Sequence, residues 1–269
     1  MVKISQIEYQ RPNKDEVLST LKSFKQRFEN AETVEEFYQV HEEYKAYDEK
    51  LGTNIRIAFI RFTQDTRNEF YAAEQDFLDE VGPEISVASA EISKCYLQSK
   101  FRSELEKRFP KVMFQNLQMQ VDATNPLIVE DRIEQNKLTT RYSKLMSSIV
   151  VDFNGEKLPL SAMPKYFGNE DRGLRKSAYV AFGQALEDNK EQLDEIYHQL
   201  VKVRTNMGQK LGFEGFSPLG YLQMQRNCYT KEDLAKFRAN VFEVHRSTKC
   251  KIASKGWRRL EPRSTIRLR

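Results

Sequence analysis

Apolar residues recur at spacings of three and four along most of this chain, and that period predicts helices. Val17, Leu21, Phe24 and Phe28 share one face of a first helix. Asn13 is placed to cap it, and Asp15 and Glu16 fall in the first turn, where the helix dipole favours anions. A second helix is predicted from about Thr33, with Val34, Phe37, His41 and Tyr44 on one side and Gly52 at its end. A third is predicted over about 54–81, stopping at Gly82-Pro83, and a fourth over about 84–109, broken by Pro110. Four helices with short connections in 110 residues form the pattern of an antiparallel bundle.

The texture then changes. After a further helix over about 129–146 comes the β-branched run SIVVDF, then Asn154-Gly155, then EKLPL. Asn-Gly tolerates the positive φ of a type I′ turn, so a hairpin is predicted, pairing residues near 147–153 with residues near 156–162. Helix resumes near Asn169. Leu193, Ile196, Leu200, Val203, Met207 and Leu211 form a stripe that ends at Gly212. The loop GFEGFSPLG and another helix follow, and Thr230 caps a helix through Phe237 and Val241. The fold class is mostly α, a multi-helix N-terminal bundle plus one β-hairpin. Residues 1–115 read as an N-terminal helical region, 116–244 as the hairpin and following helices, and 245–269 as a basic tail.

Composition sharpens this in one respect. The formal charge of the 269 residues is +4, but 245–269 hold nine Lys/Arg against one acid, Glu261. Residues 1–244 hold 34 basic and 38 acidic side chains, a net of −4. An acidic body with a basic tail spreads no basic face for nucleic acid. No run of eighteen apolar residues predicts a membrane span, and the charged start MVKISQIEYQRPNKDE lacks the apolar core of a secretory signal. Cys95, Cys228 and Cys250 form no CxxC pair and leave one thiol over from any disulfide, which fits a reducing compartment such as the cytoplasm. The tail shows little helical stripe. It reads either as the product of a shifted reading frame near 241–244 or as a native basic extension. On either reading, residues from about His245 onward are expected to stand outside the fold.

Candidate chemistry is sparse. A helical zinc motif places two histidines one turn apart, so that both reach the metal. His41, His198 and His245 have no such partner. In His41-Glu42-Glu43-Tyr44-Lys45 the second ligand position holds Lys45, whose ammonium cannot ligate. His41 falls on an apolar face and His198 out of phase with the Ile196–Leu200 stripe, so the first reads as a packed histidine and the second as a solvated one. Cys228, in RNCYT, has no neighbouring histidine in sequence to activate it. GQKLGFEGFSPLG lacks the spacing of a phosphate-binding loop.

The stretch 200–237, LVKVRTNMGQKLGFEGFSPLGYLQMQRNCYTKEDLAKF, carries the strongest family signal. Through Gly212-Phe213, Tyr221, Met224, Arg226 and Tyr229 it resembles the segment leading into the catalytic domain of oligoendopeptidase F-like zinc metallopeptidases, relatives of thimet oligopeptidase. The hairpin and the helix starting near Asp171-Arg172 fit the same family's order, so the resemblance extends loosely over residues 1–240. It implies an almost wholly helical enzyme that cuts short peptides inside a deep channel walled by its N-terminal helices. In that family zinc is held by the two histidines of a His-Glu-x-x-His helix and a later glutamate. No His-Glu-x-x-His occurs in these 269 residues. The resemblance therefore assigns no catalytic, cofactor-binding or metal-ligating residue here. It implies the beginning of a helical metallopeptidase domain, whose complete form takes zinc as cofactor and short peptides as partners. A second reading is a stand-alone helical module that binds a protein through an aromatic-lined groove.

Overall fold

The computed structural model describes the backbone of residues 6–256 and the side chains of residues 6–244. The described residues form eleven α-helices and one two-stranded hairpin. The chain divides into two compact units, one ending at Gln225 and one beginning at Arg226.

In the first unit, α1 (Lys14–Asn30) buries Val17, Leu21, Phe24 and Phe28, the four positions of its apolar stripe. Asn13 caps it by accepting from the Asp15 and Glu16 amides. α2 (Val34–Gln64) starts at Thr33, whose hydroxyl accepts from the Glu36 amide, but it does not end at Gly52. A glycine ends a helix when the chain turns to positive φ there. Gly52 does not do so. Buried Leu51, Ile57, Ala58 and Phe62 flank it and keep the helix going, outweighing the ~0.5–1 kcal/mol that a helical glycine costs.

The break falls instead at 65–68. The Asp65 carboxylate accepts from the Arg67 amide, and Asn68 caps α3 (Glu69–Leu97) by accepting from the Tyr71 amide. α3 then runs straight through Gly82-Pro83, where the sequence predicted a stop. A proline inside a helix orphans the carbonyl four residues back. Here that carbonyl belongs to Asp79, and it accepts 3.2 Å from the Asn136 side chain of α6 (Val129–Ser148). The Asp79 carboxylate accepts from Thr140 at 2.5 Å and from Gln75 at 2.8 Å. The sequence had no means of showing this, because the compensating donor lies 57 residues away.

The fourth predicted helix is likewise redrawn. α3 ends at Leu97, Ser99 turns the chain, and the short α4 (Arg102–Arg108) reaches Pro110. Pro110 then opens α5 (Lys111–Asp122), a helix the periodicity did not reveal; proline is well tolerated at a helix start, where its missing N–H has no intrahelical partner. α1 to α5 enclose one core around Phe28, Phe37 and Tyr96, whose rings meet at centroid distances of 4.8–5.1 Å.

The hairpin forms where predicted, over a shorter span. β1 (Val150–Phe153) pairs antiparallel with β2 (Glu156–Pro159), Phe153 opposite Glu156. Asn154 at φ 54° and Gly155 at φ 81° make the turn. Val151 and Phe153 face a second core with Met163, which lies just before α7 (Pro164–Phe167), and with Ala178 and Ala185 of α8 (Arg172–Glu187). Gly155→Val leaves room for the side chain but forces a β-branched residue to positive φ. A loss of about 1–3 kcal/mol is expected in chemical denaturation. An unchanged midpoint would show that the turn tolerates L-residues.

α9 (Lys190–Lys210) and α10 (Phe216–Gln223) complete the first unit around buried Met207 and Leu219. In the second unit, α11 (Lys231–Gly256) opens on a reciprocal cap: the Asp233 amide donates to the Thr230 hydroxyl, and the Thr230 amide donates to the Asp233 carboxylate. The absence of a stripe beyond 244 does not stop this helix, which continues to Gly256. Whether residues 257–269, and the side chains from His245 onward, stand outside the fold lies beyond the described residues. Among the described residues no helix is long and apolar enough to cross a membrane.

Candidate functional site

The stretch that carried the family signal folds into a helix end, a tight loop and the next helix. α9 ends with Gly212 at φ 81°. The Phe213 amide donates to the Gly208 carbonyl at 2.9 Å and the Gly212 amide to the Gln209 carbonyl at 2.9 Å. These two bonds form a Schellman cap, so Gly212-Phe213 is required by the geometry of the turn. The loop then folds back so closely that Gly208 has no room for a side chain. A Cβ there would lie 2.2 Å from the Gly215 carbonyl oxygen. Arg204 lies over the Phe216 ring at 5.4 Å, and Met207 and Leu219 are fully buried beside them. Asp131 of α6 anchors α9 from below, accepting from Asn206 at 2.7 Å and Lys210 at 2.6 Å.

Met224 is exposed, and in the second unit Arg226 lies 5.9 Å over Tyr229. These residues present no grouping that could bind a metal or activate a nucleophile. Sequence reasoning missed Gly208, Arg204 and Asp131. Gly208 sits one residue after a core methionine, where nothing in a helical stripe signals that a backbone approaches; Asp131 is 75 residues from Asn206.

The histidines do not assemble either. His41 of α2 is half-buried, its Nδ1 2.7 Å from the Tyr96 hydroxyl of α3, and its ring meets Phe109 edge-on at 4.8 Å. Burial pushes its pKa below the usual imidazole value. Lys45 is exposed, and so is His198 on α9. The side chains of His245 and Cys250 lie outside the described residues. Cys95 lines a cleft of about 310 Å³ with Phe28, Lys25, Glu91 and Lys94. Burial pushes its thiol up to about 11, so it is protonated and a poor nucleophile at neutral pH. Cys228 is exposed, its nearest polar partner the side chain of Asn227. Among the described residues no three His, Cys, Asp or Glu side chains converge so as to hold a metal ion. The described residues do not fit a catalytic zinc, which needs about three protein ligands and an open position.

Comparison with known proteins supplies what the side chains do not. The Peptidase M3 N-terminal domain family matches residues 4–124. Pz peptidase A, solved with an inhibitor, is 38% identical, with a TM-score of 0.85 over 89% of this chain and 42% of its own. A structure described as an oligoendopeptidase F from Bacillus anthracis str. Ames is 35% identical, with a TM-score of 0.85 over 89% of this chain and 44% of its own. A further oligoendopeptidase F structure, at 3.1 Å, is 30% identical, with a TM-score of 0.90 over 95% and 45%. Residues 4–124 carry the Peptidase M3 N-terminal domain, and the chain resembles part of the oligoendopeptidase F structures. A comparison with curated proteins returns no match. The chain spans less than half the length of the solved structures it matches. The family match falls on the helical bundle of α1 to α5.

Proposed function

We propose that this chain supplies the N-terminal helical half of an oligoendopeptidase F-like zinc endopeptidase acting on short peptides, and that these 269 residues do not themselves hydrolyse peptide bonds. The carrying observation is the extent of the match: 89–95% of this chain accounts for 42–45% of each solved relative. The residues support the second part. Peptide hydrolysis of this class needs a metal that polarises the scissile carbonyl and activates water, with a positioned base. The chain has three histidines and no pair of them one helical turn apart. In the complete enzyme, α1 to α5 act as wall rather than as catalyst. These helices share one core, and their buried carboxylates are already engaged, Glu74 by Arg11 from the segment before α1 and Asp79 by Thr140 of α6. A soluble, cytoplasmic setting fits the thiol-bearing, acidic body.

Elemental analysis of the purified 269-residue chain tests the reading. Zinc well below one equivalent is expected after dialysis. One tightly held zinc per chain, together with chelator-sensitive cleavage of a short peptide, would overturn it.

A further inference from the structure

Arg132, near the start of α6, is a half-buried guanidinium without a counter-ion. Burial pushes its pKa below the usual arginine value, and among the described residues no carboxylate offsets this. The helix dipole also disfavours a cation at this end of α6. Sheltering a charge in this way is costly, so such groups are normally paired. The guanidinium is sheltered but not sealed: the fully buried, unpartnered side-chain atoms are Gln75 Oε1, Gln135 Oε1 and Arg204 Nε, with no Arg132 nitrogen among them. Gln135 stands one turn further along α6, so the two side chains share a face. Its amide has a buried oxygen that no donor meets, while its nitrogen is not sealed; a half-turn of the amide presents the oxygen instead. Helix residues step by about 100°. That places Arg132 and Gln135 between Asn136, which reaches the Asp79 carbonyl of α3, and Asp131, which binds Asn206 and Lys210 of α9. The seam of α6 between its α3 and α9 contacts thus holds an unpaired donor fork beside an unpaired acceptor.

We propose that Arg132 and Gln135 hold the free C-terminal end of a short peptide, the guanidinium forking onto the terminal carboxylate and the Gln135 oxygen accepting the N–H of the same residue. This rests on the proposed function, which supplies short peptides as ligands. The pairing of opposite orphans chooses the occupant. A bare anion such as phosphate would satisfy Arg132 but brings no N–H for Gln135. The last residue of a peptide carries a carboxylate and an N–H side by side. A carboxylate also matches the two-pronged geometry of a guanidinium.

The test titrates the 269-residue chain calorimetrically with N-acetyl-trialanine as the free acid and as the C-terminal amide. The free acid is expected to bind about ten-fold more tightly, the scale of a charge-assisted hydrogen bond. Arg132→Met is expected to abolish that preference while leaving the urea midpoint at or above the wild-type value, because it removes an unpaired charge and orphans no partner. Gln135→Leu should weaken both peptides alike. No preference for the acid, including no binding of either peptide, overturns the site. So does a preference that survives Arg132→Met. If Arg132→Met fails to fold or lowers the midpoint markedly, the arginine has an internal partner and the proposal falls. Acetate that binds as tightly as the free acid would reduce the site to a bare anion site and overturn the peptide assignment. Cleavage by the chain joined to the unmatched part of Pz peptidase A separates the two claims. Cleavage without an acid preference sinks the subsite and keeps the function, whereas an acid preference without cleavage does the reverse.

Discussion

Gly208→Ala is expected to destabilise the chain by about 3 kcal/mol, the upper end of what an inserted methyl group costs. The added carbon would meet the Gly215 carbonyl at 2.2 Å from oxygen and 2.5 Å from carbon, with the Phe216 amide nitrogen at 3.0 Å. These are backbone atoms of the loop that closes α9, so no side chain can rotate aside. Relief requires the loop to lift, which pulls Phe216 from Arg204 and opens the core at Met207 and Leu219. Gly52→Ala is the control. It also lies inside a helix, but with nothing within 4 Å, and is expected to gain about 0.5–1 kcal/mol. Equal effects of the two substitutions on urea midpoints would show that the close approach at Gly208 does not exist.

The second large effect concerns the extended segment before α1. Glu74 of α3 has a side chain only 3% exposed, and it accepts from both Nε and Nη2 of Arg11, at 2.6–3.0 Å. The Tyr9 hydroxyl adds a third donor at 2.5 Å, and Arg61 fixes the same segment by donating to the Ile7 carbonyl. Burial alone would raise the Glu74 pKa, but the Arg11 and Tyr9 hydrogen bonds outweigh it and hold the carboxyl below its ordinary value. A carboxylate lowered in the folded state stabilises the fold above its unfolded pKa, about 4.3, and loses that contribution as pH falls through the lower folded value.

Arg11→Ala leaves Glu74 buried with only Tyr9 to meet it. Because Arg11 itself is half exposed, a loss of about 2–4 kcal/mol at pH 7 is expected, somewhat under the cost of breaking a fully buried pair. The deficit should shrink in acid, where Glu74 takes up a proton. Arg11→Lys should recover only part, since an ammonium lacks the two-pronged fork. A deficit that stays constant from pH 7 down to pH 3 would show that the charge on Glu74 is not the cause.

The elements that the sequence shows well are those whose signals are local. The α1 stripe with its Asn13 cap, the Asn154-Gly155 turn and the α9 stripe ending at Gly212 each reside within a few residues, and the structure forms all three. The errors cluster between Gly52 and Pro110, and they share a cause. Glycine and proline were read as punctuation, but α2 crosses Gly52 on the strength of buried neighbours, and α3 crosses Pro83 because Asn136 satisfies the orphaned Asp79 carbonyl from another helix. The real break, Asp65 to Asn68, is a run of polar side chains that cap backbone amides, a weaker sequence signal than Gly-Pro. At the site, Gly212-Phe213 was legible because a helix stop needs a left-handed residue. Gly208 was not, because its constraint comes from a loop passing overhead, which no periodicity records.

The central proposal is that these residues form the wall of a peptidase and not its catalytic machinery. It is tested most directly by the rate of cleavage of a short quenched fluorogenic peptide, measured for the 269-residue chain alone and for the chain joined to the unmatched part of Pz peptidase A. No cleavage above background is predicted for the chain alone, and zinc-dependent, chelator-sensitive cleavage for the joined protein. Chelator-sensitive turnover by the chain alone, at a rate comparable to that of the joined protein, would contradict the account.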